Sequence, residues 1–534
     1  MQKRSAVILM LYMIAMFVVM LRIYQIGNDE RVMAAQEQGT ITVTVAAPRG
    51  TIYDCNLRSL TNVTDDLMAV LTPTPAVAAE INRCFGAEEA ADILARLRQG
   101  MPFAQRVPTE FSAEGAYLFA VPRRYGEQQL APHVIGYLDG GNQSGAAGIE
   151  KGYNDHLTHG HPLTVTFAKN AVGRVFDGTP PKFDRSLADT TVGIALTLDT
   201  ELQELAEQAA KKAFERGAVV VMECDTGKIR AMVSLPHFSP NKVGEVLNET
   251  ANAPLINRAI TPYNVGSVYK LCVAAAAIES GVPTGFSHTC RGAVQIGQNN
   301  FRCAGSHEHG TLGLETALEV SCNTYFITLG QHTGAQPIYD MSRAMGFGQV
   351  WNLGGGIFTK EGSLPDLTLL STQPATLANT SFGQGDLLLT PLNIACMTAA
   401  IACEGKSPAP TLIEGEVTAA RQLILSPYVT PPTNVMSKTT AAILKQYMIN
   451  VVETGTGTRA LPETGGAGGK TGTAQTGWIE NGSPVEQAWF CGFYPADRPR
   501  YAIVALAENG RSGGSTTAPV FKEIADGITR LEAE

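Results

Sequence analysis

The hydrophobic residues of this chain form three kinds of run, and each kind predicts a different element. Ala6 to Leu21 is an uninterrupted apolar run, which is typical of a helix in or near a membrane. Ile41-Thr42-Val43-Thr44-Val45 alternates apolar and polar residues, as a half-buried strand does. Gly217 to Met222 and Leu271 to Ile278 are apolar on nearly every side, so they predict a buried strand and a buried helix.

The first run predicts a membrane anchor. Lys3 and Arg4 precede it, and this positive flank places the N-terminus in the cytoplasm and the rest of the chain outside. The alternative is a cleaved signal peptide, but no small-x-small site directly follows the run; Met33-Ala34-Ala35 comes after charged residues. We therefore expect residues 1–27 to be a cytoplasmic stub and an uncleaved single-pass anchor.

Two further modules follow in the chain. Residues 28–190 mix short strands with polar loops and a helical stretch at 88–97, and the Pro-rich segment 178–184 is typical of a linker. Residues 191–534 begin and end with apolar strands and have helices between them. This order predicts an α+β fold in which helices flank one antiparallel sheet. Strands from the beginning and the end of the domain would meet in that sheet. The segments concerned are strands at 217–222, 229–233, 488–493 and 501–506, and a last helix at 520–528.

Composition agrees with this organisation and excludes one class of partner. With 534 residues the chain is too long for one typical core. Its net charge is −9, and no basic cluster interleaved with aromatic residues is present, so nucleic acid is not an expected partner.

The most informative motif is Lys470-Thr471-Gly472-Thr473. At a sheet edge, Lys470 supplies positive charge, while Thr471 and Thr473 supply hydroxyl groups that can hold a carboxylate. Gly472 leaves the strand without a side chain where a substrate must approach.

A second motif, Ser267-Val268-Tyr269-Lys270, opens the predicted buried helix. A serine and a lysine three residues apart share one helix face, so a neutral Lys270 amine can take the Ser267 hydroxyl proton. Ser239-Pro240-Asn241-Lys242 has the same spacing, but its surroundings predict a loop. Ser267 is therefore the expected nucleophile.

The third motif, Ser321-Cys322-Asn323, lies between the other two in the chain. The Ser321 hydroxyl can relay a proton, and the Asn323 amide can orient a peptide. Such a triplet is common by chance. In the order S-x-x-K, S-x-N, K-T-G, however, the three motifs together indicate one catalytic set.

With these motifs the chain resembles the class B penicillin-binding proteins, the peptidoglycan D,D-transpeptidases. Upstream segments also resemble that family: Pro48 to Asp54, His133 to Tyr137, Gly148 to Lys151 and Leu196 to Asp199, although Cys55-Asn56-Leu57 departs from the family's usual continuation. The resemblance implies an N-terminal pedestal in residues 28–190 and a β-lactamase-like, penicillin-binding transpeptidase domain in residues 191–534.

The resemblance also implies a reaction and its partners. Ser267 attacks a stem peptide ending in D-Ala-D-Ala, Lys270 is the base, and Ser321 relays protons, with Lys470 nearby. Asn323 positions the peptide amide, and Lys470, Thr471 and Thr473 hold its carboxylate. The backbone N–H groups of Ser267 and Thr473 form the oxyanion hole. Partners would be β-lactams, the membrane and a SEDS-family glycosyltransferase; no cofactor is called for.

Two other functions fit parts of the same pattern. A serine β-lactamase shares the serine and the lysine but needs a deacylating base, and no Glu-x-x-x-Asn pattern stands between Asn323 and Lys470. A catalytically weak scaffold of a wall-synthesis complex would keep the fold without needing the motifs. The resemblance does not choose between roles in division, elongation or sporulation.

Two further patterns suggest sites that the spacing does not favour. The glycine run before Lys470 resembles a phosphate-binding loop, but the required glycine is replaced by Thr464. Cys290 and Cys303, followed by His307 and His309, suggest zinc, yet no C-x-x-C pair is present. A Cys290–Cys303 disulfide and two reduced thiols both stay open, and no metal site is expected.

Overall fold

The computed structural model of this protein describes residues 2–27, 39–47, 49–140, 143–158, 162–170, 174–176, 179–184, 192–425, 430–480 and 482–533. The chain divides into two compact units. The first contains residues 1–50, 62–124 and 158–191, and the second contains residues 51–61, 125–157 and 192–534. Segments 51–61 and 125–157 thus group with the second unit, although they precede residue 190. The predicted modules 28–190 and 191–534, which follow chain order alone, stay predictions.

The N-terminal apolar run forms a helix, Gln2–Gly27. Its described large hydrophobic side chains, including Val7, Phe17 and Ile23, are exposed. Among the described residues, no helix combines the length and the apolar character that crossing a membrane requires. The anchor stays a prediction.

The first unit also holds two small antiparallel sheets. In one, the strand Leu163–Ala168 pairs with Thr40–Ala46, which confirms the strand predicted from residue 41. Lys182–Asp184 pairs with the same central strand. The interpretation of this segment as a linker is therefore wrong for residues 182–184. Gly178, where the predicted linker begins, lies outside the described residues. The other sheet joins Phe103–Arg106, Thr64–Leu71 and Ala116–Arg123. It packs under the helices Pro75–Cys84 and Ala87–Leu97.

A five-stranded antiparallel sheet organises the second unit. We number its strands in chain order: β1 (Gly217–Glu223), β2 (Ile229–Leu235), β3 (Gly468–Glu480), β4 (Ser483–Tyr494) and β5 (Tyr501–Glu508). Their order across the sheet is β2-β1-β5-β4-β3. Strand β1 pairs with β5, and this confirms that the first and last parts of the domain meet in one sheet. Strand β3 lies at the edge.

The sheet is buried on both faces, and this explains its continuous apolar runs. Val219 and Val221 of β1 belong to one core cluster, whereas Val220 and Met222 belong to another. Alternate side chains of a strand point to opposite faces, so each face has its own core. The first core includes residues of the helices Thr200–Ala213 and Ala518–Ala533, and the second includes residues of Lys270–Glu279 and Pro391–Ala402. The predicted α+β fold and the predicted last helix are confirmed.

The second unit contains many shorter elements. Its other α-helices are Pro132–Ile135, Gly148–Gly152, Asn154–Leu157, Leu314–Glu319, Asn323–Thr333, Ala335–Ala344, Leu367–Thr372, Pro374–Ser381 and Lys438–Glu453. Single turns of 3₁₀ or π helix are Val243–Glu245, Arg258–Ile260, Gly266–Tyr269, Ala304–Ser306, Thr458–Ala460 and Gly513–Thr517. Its other strands are Ile52–Tyr53, Gly193–Leu196, Tyr263–Asn264, His288–Cys290, Ala293–Ile296, Asn299–Arg302, Gly310–Leu312, Leu388–Leu389, Lys406–Ser407, Ile413–Val417, Leu423–Leu425 and Thr433–Asn434.

Candidate active site

Ser267 lies at the start of a buried helix, as predicted. It occupies the turn directly before the α-helix rather than the first α-helical turn. It belongs to the 3₁₀ turn Gly266–Tyr269, and the α-helix α1 (Lys270–Glu279) begins at the lysine. All of α1 from Lys270 to Ala277 is buried, which anchors the turn firmly to the core. Ser267 itself is half-buried, and its hydroxyl makes no hydrogen bond to another residue in the described part of the chain. The hydroxyl can therefore meet a substrate.

Gly266 brings this turn against the K-T-G strand. Its φ of +66° lies in the left-handed region, and its N–H donates to the Gly383 carbonyl at 2.9 Å. A Cβ atom added to Gly266 would lie 2.6 Å from the Thr473 carbonyl oxygen. Such an approach between two backbones leaves no room for a side chain. Ser267 and Thr473, although distant in the chain, are therefore neighbours.

Lys270 joins the first motif to the second. Its side chain is fully buried, and its Nζ donates to the Ser321 carbonyl at 2.8 Å, to Ser321 Oγ at 3.3 Å and to Asn323 Oδ1 at 2.7 Å. Burial lowers the pKa of Lys270 well below its usual value, and the nearby charge of Lys470 lowers the pKa further. A neutral amine is the form that can accept a proton.

Lys470 approaches the same hydroxyl from the other side. Its Nζ donates to Ser321 Oγ at 3.0 Å and to the Thr471 carbonyl at 3.0 Å, and its side chain is fully buried. Burial lowers the pKa of Lys470 to about 7. Ser321 Oγ thus lies between two buried lysine amines, and the three predicted motifs meet at this atom.

The rest of the K-T-G motif lies on β3 at the edge of the sheet, where Thr471 is buried and Thr473 is half-buried. Thr471 Oγ1 is 2.9 Å from Thr456 Oγ1, and Thr473 Oγ1 accepts a hydrogen bond from the Gly513 N–H at 3.4 Å. At Gly472, a Cβ atom would lie 3.0 Å from a Val268 methyl group. The glycine is therefore needed for packing against the Ser267 turn.

The second motif lies on a turn between two helices, α2 (Leu314–Glu319) and α3 (Asn323–Thr333). Ser321 has a φ of +54°, which is unusual for a residue with a side chain. Cys322 caps α3, because its Sγ accepts a hydrogen bond from the Tyr325 N–H at 3.4 Å. This turn presents Ser321 and Asn323 to Lys270.

The alternative serine has no such neighbours. Ser239 lies in the loop between β2 and the turn Val243–Glu245, as its surroundings predict. Lys242 is exposed and forms an ion pair with Glu245 at 3.6 Å. The structure therefore offers Ser239 no buried amine from its own motif.

A set of residues that could hold a metal was not predicted from the sequence. Cys290, Cys303, Cys322 and His309 place one ligand atom each within 4.8 Å of one another. The sequence indicates the first two thiols and the histidine, but Cys322 stands there only as the unspecified residue of the second motif. Hydrogen bonds from the Cys322 thiol and from the start of α3 lower the pKa of the Cys303 thiol. His307 is not part of this set.

Comparisons with known proteins agree with this geometry. Residues 217–526 match the family described as the penicillin binding protein transpeptidase domain. The chain is 29% identical to the peptidoglycan D,D-transpeptidase MrdA of Acinetobacter baumannii, over 75% of this chain and 65% of MrdA. It is 30% identical to the peptidoglycan D,D-transpeptidase PbpA of Mycolicibacterium smegmatis, over 66% of this chain and 78% of PbpA.

A solved structure extends the likeness beyond the catalytic domain. A chain from the structure described as "Structural coordination of polymerization and crosslinking by a peptidoglycan synthase complex" has 25% identity and a TM-score of 0.72, and the match covers 98% of both chains. This chain therefore belongs to the penicillin-binding protein transpeptidases, and its relatives place it in the class B group of peptidoglycan D,D-transpeptidases.

Gly266→Ala tests how tightly the site is assembled. The new methyl group must displace the Thr473 backbone, so we expect the rate of penicillin adduct formation to fall about 100-fold. Labelling with a fluorescent penicillin measures this rate, and a thermal melt checks that the variant is folded.

Gly285→Ala is the matched control, because a Cβ atom there meets nothing within 4 Å. We expect it to label at the parental rate. An unchanged rate in Gly266→Ala would show that the contact with Thr473 is not needed for the site.

Proposed function

We propose that this chain is a serine D,D-transpeptidase that crosslinks peptidoglycan stem peptides through an acyl-enzyme on Ser267. One observation carries the proposal. Ser321 Oγ lies 3.3 Å from Lys270 Nζ and 3.0 Å from Lys470 Nζ, and Lys270 directly follows the turn that holds Ser267. Two buried amines that share one hydroxyl form a path for protons between a nucleophile and a leaving group.

Acylation would begin with Lys270. Burial favours its neutral amine, which can take the Ser267 hydroxyl proton as Oγ bonds to the carbonyl carbon of the penultimate D-Ala. The negative oxygen that forms would accept hydrogen bonds from the backbone N–H groups of Ser267 and Thr473. Contact between Gly266 and Thr473 supports this pairing.

Proton transfer to the leaving group would use the side chains of Lys270, Ser321 and Lys470. When the tetrahedral intermediate collapses, the C–N bond to the last D-Ala breaks and its nitrogen takes a proton through Ser321, which Lys470 and Lys270 both contact. An amine from a second stem peptide then attacks the ester carbonyl and gives up a proton by the reverse path. A new amide bond forms, and Ser267 is released.

The K-T-G strand and Asn323 would bind the substrate. Lys470, Thr471 and Thr473 would hold its terminal carboxylate along the β3 edge. Asn323 would orient the peptide amide; its Oδ1 is held by Lys270, and its Nδ2 donates to the Arg302 carbonyl at 3.0 Å. A β-lactam ring presents a similar amide and carboxylate, so the same site would be acylated by penicillin.

We also propose that residues 2–27 anchor the enzyme in the membrane with the catalytic domain outside. Exposed apolar side chains along Gln2–Gly27 support this proposal.

A partner that polymerises glycan, such as a SEDS-family glycosyltransferase, would supply the substrate. The similar chain from the peptidoglycan synthase complex supports such a pairing, because that complex is described as coordinating polymerization with crosslinking.

Ser267→Ala tests the nucleophile. We expect it to lose the penicillin adduct completely, because Oγ is the attacking atom. Ser239→Ala, which removes the serine with the same S-x-x-K spacing, should keep the adduct. Fluorescent penicillin and peptide mapping report both results, and an adduct on Ser267→Ala would exclude this serine.

The lifetime of the parental adduct separates a transpeptidase from a β-lactamase. A chase with unlabelled drug should leave the adduct in place for many minutes, which corresponds to a barrier of ~20 kcal/mol or more. Turnover of many penicillin molecules per second would instead indicate a β-lactamase.

Lys470→Gln tests the electrostatic link between the two lysines. Below a pH of about 7 Lys470 carries a charge that lowers the pKa of Lys270. Removing that charge raises the pKa of Lys270, so this lysine stays protonated to higher pH. We expect the acidic limb of the acylation rate to move to higher pH, besides any loss of rate.

The position of that limb is the decisive readout, since a loss of rate alone has several causes. Thr471→Val, at the next residue, keeps the charge of Lys470 and should leave the limb in place. A limb that does not move in Lys470→Gln would contradict the coupling.

The anchor is tested by deletion. The full chain should stay with membranes after alkaline carbonate extraction, and a chain lacking residues 2–27 should be released, because the apolar helix supplies the attachment. A mature protein that begins after Ala35 would show cleavage and would overturn the anchor.

A further inference from the structure

Three thiols and one imidazole meet beside the second catalytic motif. Cys290 Sγ is 3.7 Å from Cys303 Sγ and 3.4 Å from His309 Nδ1, and Cys303 Sγ is 3.7 Å from Cys322 Sγ. The three cysteines are buried, whereas His309 is half-buried. These groups are the ligands that zinc prefers in proteins.

Three of the six separations among the four ligand atoms fit a tetrahedral zinc ion. With Zn–S bonds of about 2.3 Å and a Zn–N bond of about 2.05 Å, tetrahedral angles give S···S separations of about 3.8 Å and an S···N separation of about 3.5 Å. The observed distances of 3.7 Å, 3.7 Å and 3.4 Å match these values. A disulfide needs about 2.05 Å between two sulfur atoms, and it would leave the third thiol without a role.

The backbone topology explains how distant residues form this set. Cys290 pairs with Gly310 across two short strands, which brings His309 beside it. The hairpin of Ala293–Ile296 and Asn299–Arg302 then returns the chain, so that the Cys303 N–H donates to the Gly292 carbonyl at 3.0 Å. Cys322 completes the set from the start of α3.

Neighbouring groups already support the sulfur atoms as ligands. The Gly292 N–H donates to Cys290 Sγ at 3.4 Å, and the Tyr325 N–H donates to Cys322 Sγ at 3.4 Å. Such hydrogen bonds orient thiolate ligands and stabilise their negative charge. The buried Cys272 and Cys396, in contrast, lie in helices outside this set, and among the described residues the set of four is the one group suited to a metal.

We propose that Cys290, Cys303, His309 and Cys322 bind one Zn²⁺, and that this ion fixes the turn that carries Ser321 and Asn323. Cys322 stands between these two residues in the chain. Asn323 also donates to the carbonyl of Arg302, the residue before Cys303. The ion therefore ties the hairpin and the catalytic turn together. The second half of this proposal rests on the proposed function, whereas the binding of zinc does not.

Metal content tests the first half directly. Full-length protein, purified without chelator, should contain one zinc per chain by mass spectrometry. After dialysis, Cys303→Ala and His309→Ala should each retain at most about one tenth of the parental zinc content. Cys396→Ala, another buried cysteine, is the matched control and should keep the full content. The His309 side chain is half-buried in a loop, so His309→Ala removes a ligand without removing a side chain of the core.

Cobalt gives a spectroscopic signature that does not depend on activity. Protein stripped of metal and loaded with Co²⁺ should show thiolate-to-cobalt charge-transfer absorption and intense tetrahedral d–d bands. Both should be absent from Cys303→Ala and present in Cys396→Ala. Protein without bound metal, or a Cys290–Cys303 disulfide in the freshly purified chain, would overturn the proposal.

Penicillin acylation tests the second half in the same samples. Stripping zinc should slow acylation about 10- to 100-fold, because the turn loses its position, and Zn²⁺ but not Mg²⁺ should restore the rate. An unchanged rate in stripped protein would overturn the link to the catalytic turn while leaving the zinc site intact. Zinc-loaded protein that is never acylated would instead contradict the proposed function.

Discussion

Two buried lysine side chains share the hydroxyl of Ser321, and the rest of the domain supports this costly contact. An ammonium group without water is unstable unless hydrogen bonds replace its hydration. Lys270 obtains three such bonds from the turn of the second motif, and Lys470 obtains two. Burial favours the neutral form of both amines, and the charge of Lys470 adds to this effect at Lys270. Burial therefore destabilises the ammonium forms of both lysines, and the neutral amines that it favours can accept protons.

Holding such groups in place requires rigid support from several directions. Lys470 comes from a strand of a sheet buried on both faces, and Lys270 comes from a helix that is buried on nearly every side. The hydroxyl between them lies on the turn before α3, the helix that Cys322 caps. A buried helix and a buried sheet tolerate little displacement, since their interiors are closely packed. The apolar runs in the sequence thus serve the chemistry as well as stability.

The sequence predicts most of this arrangement, for identifiable reasons. The central sheet follows from unbroken apolar runs, and the helix after Ser267 distinguishes this serine from Ser239. Strand pairing between distant segments leaves a weaker trace. Lys182–Asp184 resembles a Pro-flanked linker because three residues give no periodic pattern. Cys322 gives no signal as a ligand either, because its proximity to the other thiols depends on two strand pairings rather than on spacing in the chain.

The backbone of Ser321 has one more consequence. Its φ of +54° is a conformation in which glycine is more stable than any residue with a Cβ atom, by roughly 1 kcal/mol. Glycine, however, carries no hydroxyl for the two lysines. The backbone conformation therefore favours glycine at this position, whereas the proposed proton path needs a hydroxyl, and the chain has the serine. A screen that selected only for heat resistance would weigh this backbone strain against the hydrogen bonds that Ser321 gives the two lysines, and a glycine variant it accepted would lack the proposed proton path.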